Sequence, residues 1–424
     1  MHRSAILIAL AAPSLWLLAP APATAADRPS LSLVQALELA HARNPGLTVA
    51  RETVAEVRGE LTAARLRLQE NPEIGASAGP RSASEDDPSS TDREVGLEQR
   101  LEIGGQRRHR MDRANASIAV AQAAADDAAR QLDLAVAETF YEALAARRSV
   151  ELLEQNEALA AALEELARRR LDLGEGTQLE LNTVRVRRAE AARRLAAGRA
   201  QREAAYVTLT ELLAAPPGEA WELSGDLPAG AEVAGVAELV ARAVEARPDL
   251  LSTRQEMDRA RAAVALADAE AVPDLTLALS YGRDERQDVA LGGFRIPLPF
   301  VQRNQGERES ARAALRASEA RLEQRRLAVA ADVRRAFQAY EADLAASRLY
   351  DADVLAAQHE SLELLEQGYA AGEIDYTELV VIQRELLDGQ LGALEARRNF
   401  ALTTARLLAA AHLPQTHARI GGTK

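Results

Sequence analysis

Between Gln106 and Leu173 the chain has no proline and keeps one helical pattern throughout. About 65 residues at 1.5 Å each make a rod of roughly 100 Å. Such a rod cannot fold back into a globule and must pair with something equally long. A second stretch, Gln305–Tyr369, carries Leu315, Leu322, Val329, Val333, Phe337, Tyr340 and Leu344 at helical spacing, a narrow apolar seam. Aromatic residues make up only 3% of the chain while alanine is abundant. That composition suits long, narrow, coiled-coil-like bundles better than a compact core.

The two rods belong to a duplicated pattern. "NPGL" at Asn44–Leu47 recurs as "RPDL" at Arg247–Leu250, and "NPEI" at Asn71–Ile74 as "VPDL" at Val272–Leu275. Leu132, Val136 and Phe140 recur as Val329, Val333 and Phe337, and "LGEGTQLEL" as "AGEIDYTEL". Four landmarks in one order, each displaced by about 200 residues, predict two copies of one unit. Repeat 1 spans 26–213, with a strand pair at about 72–103, a long helix at about 106–173 and a return helix at 178–213. Repeat 2 spans 232–413, with a strand pair at about 274–300, a long helix at about 305–369 and a return helix at 376–411. A Pro- and Gly-rich linker, 214–231, joins them, and 414–424 forms a tail. In repeat 1, Ser32 and Gln35 resemble a capping box ahead of a short helix. The return helices cover only half of each rod, and Leu47–Gln69 and Leu250–Ala271 could extend them end to end.

Each repeat carries two alternating segments flanking a polar loop. Val95, Leu97, Leu101 and Ile103 alternate with charged residues and glycine; Leu275, Leu277, Leu279 and Tyr281 alternate with Thr276, Ala278 and Ser280; Phe294, Ile296, Leu298 and Phe300 flank Arg295. Strands of this length, apolar on one side, suit a membrane barrel, with Leu277 and Phe294 facing lipid and Ser280 and Arg295 the lumen. Four strands cannot close, because small barrels need about eight. The chain must therefore oligomerise. Gly104-Gly105 permits the change of direction from strand to rod, with Arg107 and Arg108 just beyond. Gln302–Gln305, including Asn304, plays that part in repeat 2.

Residues 1–25 resemble a cleaved secretory signal: Arg3, the apolar "AILIALAAPSLWLLA", then Ala23-Thr24-Ala25. No later run is long and apolar enough for a transmembrane helix. The net charge of −13 argues against nucleic acid as a partner. The chain has no cysteine, hence no disulfide, zinc-thiolate site or lipid-bearing Cys.

The signal, the duplicated "SL..AL..A...NP.L" opening, "LEIGGQRR", "RIPLPFVQRNQG" and the two tips together resemble the TolC family of outer-membrane efflux channels. "LEIGGQR" and "PLPFVQRNQG" are similar to its CzcC-like branch, which serves heavy-metal efflux. The resemblance implies a mainly α fold with a membrane β part. It implies a homotrimer with a 12-stranded barrel in outer-membrane lipid above a periplasmic coiled-coil tunnel of 12 helices. It implies partnership with a periplasmic adaptor and an inner-membrane RND pump. Relatives often carry a lipidated N-terminal Cys that this chain lacks. In the family a Tyr before the second tip bonds an acid after the first; Tyr369 and Glu180 match those positions, while Ile374 replaces an assisting Arg.

No HExxH, P-loop, GxSxG or Cys-His cluster is present, so no enzyme, cofactor or metal site is expected. His412 and His417, five apart in the tail, are the only histidines at ligand spacing, and the pair is not taken as a metal site. The candidate adaptor-docking tips are Gly174, Glu175, Gly176 and Thr177, and Gly372, Glu373, Asp375 and Thr377. Glu180 and Glu378 follow them and would set a negative field at a closed mouth. The alternatives are a drug-efflux or type I secretion channel and, in another class, an exported coiled-coil scaffold.

Overall fold

The computed structural model describes residues 29–81, 90–216, 219, 221–228, 230, 233–284, 287–350, 357, 360–361, 364, 367–368, 374 and 376–416. The expected signal segment and His417 lie outside them. Helices dominate. After a two-residue strand β1 (Ser30–Leu31), α1 (Leu33–Arg43) opens on the capping box: Ser32 Oγ accepts from the Gln35 N–H, and Gln35 Oε1 accepts from the Ser32 N–H at 2.8 Å. α2 (Pro45–Ala64) follows, with Pro45 in its first turn where no N–H is needed.

α3 (Gln106–Asp172) is one unbroken helix of 67 residues. Nothing in it breaks helical geometry, and pairs such as Glu164–Arg168 and Glu165–Arg169 brace its surface at i,i+4 spacing. Its partner is assembled from two helices. Near the start of α3, Met111, Ala114 and Ile118 pack on Leu61 and Ala64 of α2. Near its end, Leu163, Ala167 and Leu171 pack on Leu181 and Val184 of α4 (Gln178–Leu212). The two partners meet where Asn44 Nδ2 donates to Leu212 O at 2.9 Å. That bond satisfies one of the free carbonyls at a helix end.

The second half is arranged alike. α5 (Val236–Ala246) and α6 (Pro248–Ala269) precede α7 (Gln305–Arg348), and α8 (Tyr376–Ala410) returns along it. Arg247 Nη1 reaches Ala410 O at 3.5 Å, where Asn44 reaches Leu212. The two largest apolar cores lie at these meeting points. Val136, Phe140 and Leu144 of α3 bury against α1 and α4; Val329, Val333 and Tyr340 of α7 bury against α5 and α8, with Tyr340 and Phe400 ring centroids 5.5 Å apart. Each buried Leu, Val or Phe contributes about 1.5–3 kcal/mol. A parallel pairing of β1 with β4 (Glu222–Leu223) ties the segment just ahead of α1 to the linker over the first core. Two residues per strand show no periodicity, so the sequence gives no sign of this pairing.

The helix expected over 305–369 is interrupted. α7 ends at Arg348, and the N–H groups of Leu349 and Tyr350 donate to Ala346 and Ser347 in tight three-residue turns. Described residues 357, 360–361, 364 and 367–368 are helical again. Tyr350 packs onto the facing helix, its hydroxyl 3.1 Å from where a Cβ on Gly392 would lie. The first hairpin has a similar seat: a Cβ on Gly198 would meet Leu153 Cδ1 at 2.7 Å.

A four-stranded antiparallel sheet lies at the α2 and α6 ends of the helices, ordered β2 (Glu73–Arg81), β3 (Ser90–Leu101), β5 (Leu275–Asp284), β6 (Gln287–Arg295). Strands β2 and β6 are its edges. β6 stops at Arg295 rather than continuing to about 300. Pro297 and Pro299 have no N–H for a ladder, and β5 begins at Leu275, so the chain beyond Arg295 has run past its partner.

Candidate functional site: sheet faces, junctions and tips

The strand register sorts side chains onto two faces. Ile74 pairs with Leu97 and Leu97 with Leu279; Val95 pairs with Tyr281; Gln99 pairs with Leu277 and Leu277 with Phe294. These residues share one face, largely apolar and exposed. The opposite face carries Glu94, Glu98, Thr276, Ser280 and Arg295, with Arg295 and Glu98 3.7 Å apart. Leu277 and Phe294 thus sit on one face, Ser280 and Arg295 on the other, as the alternation predicts. No helix among the described residues is long and apolar enough to cross a membrane.

At the first junction, Gly105 adopts φ 78° and caps α3. Gly104 has no room for a side chain: a Cβ would sit 2.7 Å from both Ala269 O and Val272 Cβ. Buried Gln106 locks the turn, accepting from the Gly104 N–H at 2.8 Å and donating to Asp274 at 2.9 Å. The second junction uses Asn304 at φ 55°, and Gln305 accepts from the Arg303 N–H at 2.7 Å. Asn304 Nδ2 donates to Ala267 O at 2.9 Å, anchoring α7 to α6. The junction arginines differ in role. Arg107 Nε donates to Arg65 O at 3.0 Å at the end of α2; Arg108 is exposed; Arg110 grips Glu102 with two bonds of 2.5 and 3.0 Å.

Arg247 and Asp249 form a buried ion pair that the sequence reading missed, joined by bonds of 2.9 and 2.6 Å. Arg325 of α7 adds a third at 2.6 Å, and Asp332 lies 3.5 Å from Arg247. Burial pushes the Asp249 carboxyl up. The hydrogen bonds and charge of Arg247, with the charges of Arg325 and Arg130, outweigh burial and hold it below its ordinary value. The only sequence signal was the charged "RPDL", read there as a repeat landmark.

The first tip is a tight reversal. Gly174 adopts φ 78°, and the N–H groups of Glu175 and Gly176 both donate to Arg170 O, at 2.8 and 3.0 Å. Thr177 Oγ1 accepts from the Glu180 N–H at 3.1 Å and caps α4. Glu180 lies 3.5 Å from Arg170. At the second tip Tyr369, Gly372, Glu373 and Asp375 lie outside the described residues. Thr377 and Glu378 open α8, with Glu378 exposed in the first turn. Ile374 packs against Leu379, as do Leu163 and Leu166, and its Cδ1 lies 2.6 Å from where a Cβ on Gly368 would be. Among the described residues no group of acids and histidines could hold a metal ion.

The sequence matches the family described as Outer membrane efflux protein over residues 36–215 and again over 239–412. It is 28% identical over 385 residues to the Cobalt-zinc-cadmium resistance protein CzcC of Cupriavidus metallidurans, covering 89% of this chain and 90% of that one. The fold is similar to the outer membrane protein VceC of Vibrio cholerae, with TM-score 0.71 at 18% identity over 90% of this chain and 96% of that one. It is also similar to the MtrE outer membrane channel of Neisseria gonorrhoeae, with TM-score 0.66 at 21% identity over 90% and 89%. A mainly helical chain with a four-stranded sheet, matched twice by one family, belongs to the outer membrane efflux proteins.

Proposed function

We propose that this chain is the outer-membrane component of a tripartite efflux system: a passive conduit, not an enzyme, that serves an inner-membrane RND pump through a periplasmic adaptor. The observation that carries the reading is the sheet. It has one exposed apolar face, one polar face and two unpaired edges, β2 and β6, at the end of a rod of about 100 Å. Unpaired edges in lipid cost several kcal/mol per group, so such a sheet needs further copies to close it. Three copies give twelve strands, around a lumen lined by the Glu94, Glu98 and Ser280 face. The corresponding Asn44 and Arg247 bonds, paired junctions and twofold family match support two copies of one unit within the chain.

The rods then extend into the periplasm, and the tips at Gly174–Thr177 and Gly372–Thr377 reach furthest toward the pump and dock the adaptor. Glu180 and Glu378 favour cations at that mouth. The similarity to CzcC points to heavy-metal cations as cargo. The test is a deletion strain challenged with cobalt, zinc and cadmium, alongside heat-modifiable migration of the outer-membrane protein. Lost metal tolerance together with a heat-dissociable trimer is expected. Unchanged metal tolerance with new sensitivity to organic dyes would assign another cargo, and a soluble periplasmic monomer would end the channel reading.

A further inference from the structure

The segment Ile296–Val301 leaves β6 and reaches Asn304 without joining a ladder. Its counterpart is short: β3 ends at Leu101, and Gly105 already caps α3. The extra length is apolar and open. Leu298, Phe300 and Val301 expose 68%, 75% and 83% of their surface, beside Phe294 at 73%. Each proline pushes the residue before it, Ile296 and Leu298, into extended backbone. Positions 294, 296 and 298 therefore continue the apolar face of the sheet past its last pair, Thr276 with Arg295, for about 10 Å, and a γ-turn at Pro299 then bends the chain with Phe300 and Val301 still exposed.

A contiguous open apolar patch marks a partner, and the backbone chooses which. Pro297 and Pro299 carry no N–H, and the Phe300 N–H donates to Leu298 O at 2.9 Å. The segment brings few free donors into an apolar surrounding and is poorly suited to extending a neighbour's ladder. Its side chains continue the sheet's apolar face, whereas a second copy would join in the plane of the edge. Charge sits at its helix end. Arg303 Nε donates to Pro299 O at 3.1 Å, which holds the guanidinium beside the apolar run. Arginine next to an apolar stripe fits phosphate above acyl chains.

We propose that Ile296–Val301 is a membrane-interface strap: Ile296, Leu298 and Phe300 enter the acyl boundary of the leaflet facing the periplasm, and Arg303 meets its phosphates. The proposal rests on the barrel reading above and assigns the depth at which the barrel sits, on one repeat only.

The chain has no cysteine, so Leu298→Cys, Phe300→Cys, Leu277→Cys and Val186→Cys each place one spin label on the full chain. The four are reconstituted in vesicles of phosphatidylethanolamine and phosphatidylglycerol, and collision with oxygen is compared with collision with a water-soluble nickel chelate. Labels at 298 and 300 are expected to favour oxygen over the chelate, less than the label at 277 and more than the helix label at 186. Aqueous labels at 298 and 300 with a lipid-exposed label at 277 would overturn the strap and leave the barrel standing. Labels shielded from both reagents would mean that a second copy covers the segment, which also overturns the strap. An aqueous label at 277 would sink the barrel reading and the strap with it.

Discussion

Asp249 shows how much of the fold hangs on single charges. Two arginines, Arg247 and Arg325, converge on its carboxylate, and Arg247 is itself buried. Removing the carboxylate leaves cations in a poorly solvated place, a loss of about 3–5 kcal/mol when a buried pair is broken. Asp249→Asn is therefore expected to lower the unfolding midpoint sharply at neutral pH. The folded carboxyl titrates below its ordinary value. Its contribution is then complete above the ordinary Asp range of about 3.9 and disappears as pH falls through the lower folded value. Urea titrations of wild type and variant in detergent should differ at pH 7 and converge in strong acid. A gap that persists unchanged in acid would mean the carboxylate charge is not what stabilises this site. The pair's charges were visible in the sequence, but their meeting with Arg325 was not: it depends on α6 and α7 packing side by side across 76 residues.

Elements proved more legible than the contacts between them. Hydrophobic period and the lack of proline are local properties, so the continuity of α3 and the alternation of β5 could be read directly. The end of β6 was harder to place. Its alternation runs on through Phe300, and only the length of the neighbouring strand, a non-local fact, decides where the ladder stops. The end of α7 at Arg348 escaped as well, because no proline or glycine stands at Arg348–Tyr350 to mark it. The sheet faces give a test at this scale. Leu277→Arg should cost about 2–4 kcal/mol if its face meets lipid, whereas Ser280→Arg should fold and alter conductance instead. Urea unfolding in bilayers and single-channel recording would separate the two; equal damage from both would mean the faces are misassigned. The glycine seat in α4 gives another. Gly198→Leu overfills the contact with Leu153 and should cost about 1–3 kcal/mol. Adding Leu153→Ala should restore part of that loss in a double-mutant cycle, and strict additivity would show that the two do not press on each other.

At the scale of the whole molecule, a conduit is defined by its narrowest charged place. If Glu180 and Glu378 stand at the mouth in each of three copies, Glu378→Gln should lower cation over anion selectivity in planar bilayers and weaken block by divalent cations. Unchanged selectivity would put the filter elsewhere along the tunnel. The tips themselves were half legible: the glycines and the Thr177 cap follow from local rules, while the apolar packing of Ile374 and α3 on Leu379 follows from none. The glycine seats also set mechanics. Leu153 in Gly198 brings α3 and α4 close at one level, and α3 runs on for about 30 Å to the first tip. Leu391 of α8 packs into the same cluster as Leu153, so the first hairpin touches the second at that level, and each degree of tilt about that contact carries the tip about 0.5 Å. A few side-chain carbons about 30 Å away are therefore placed to limit how far the tip can swing.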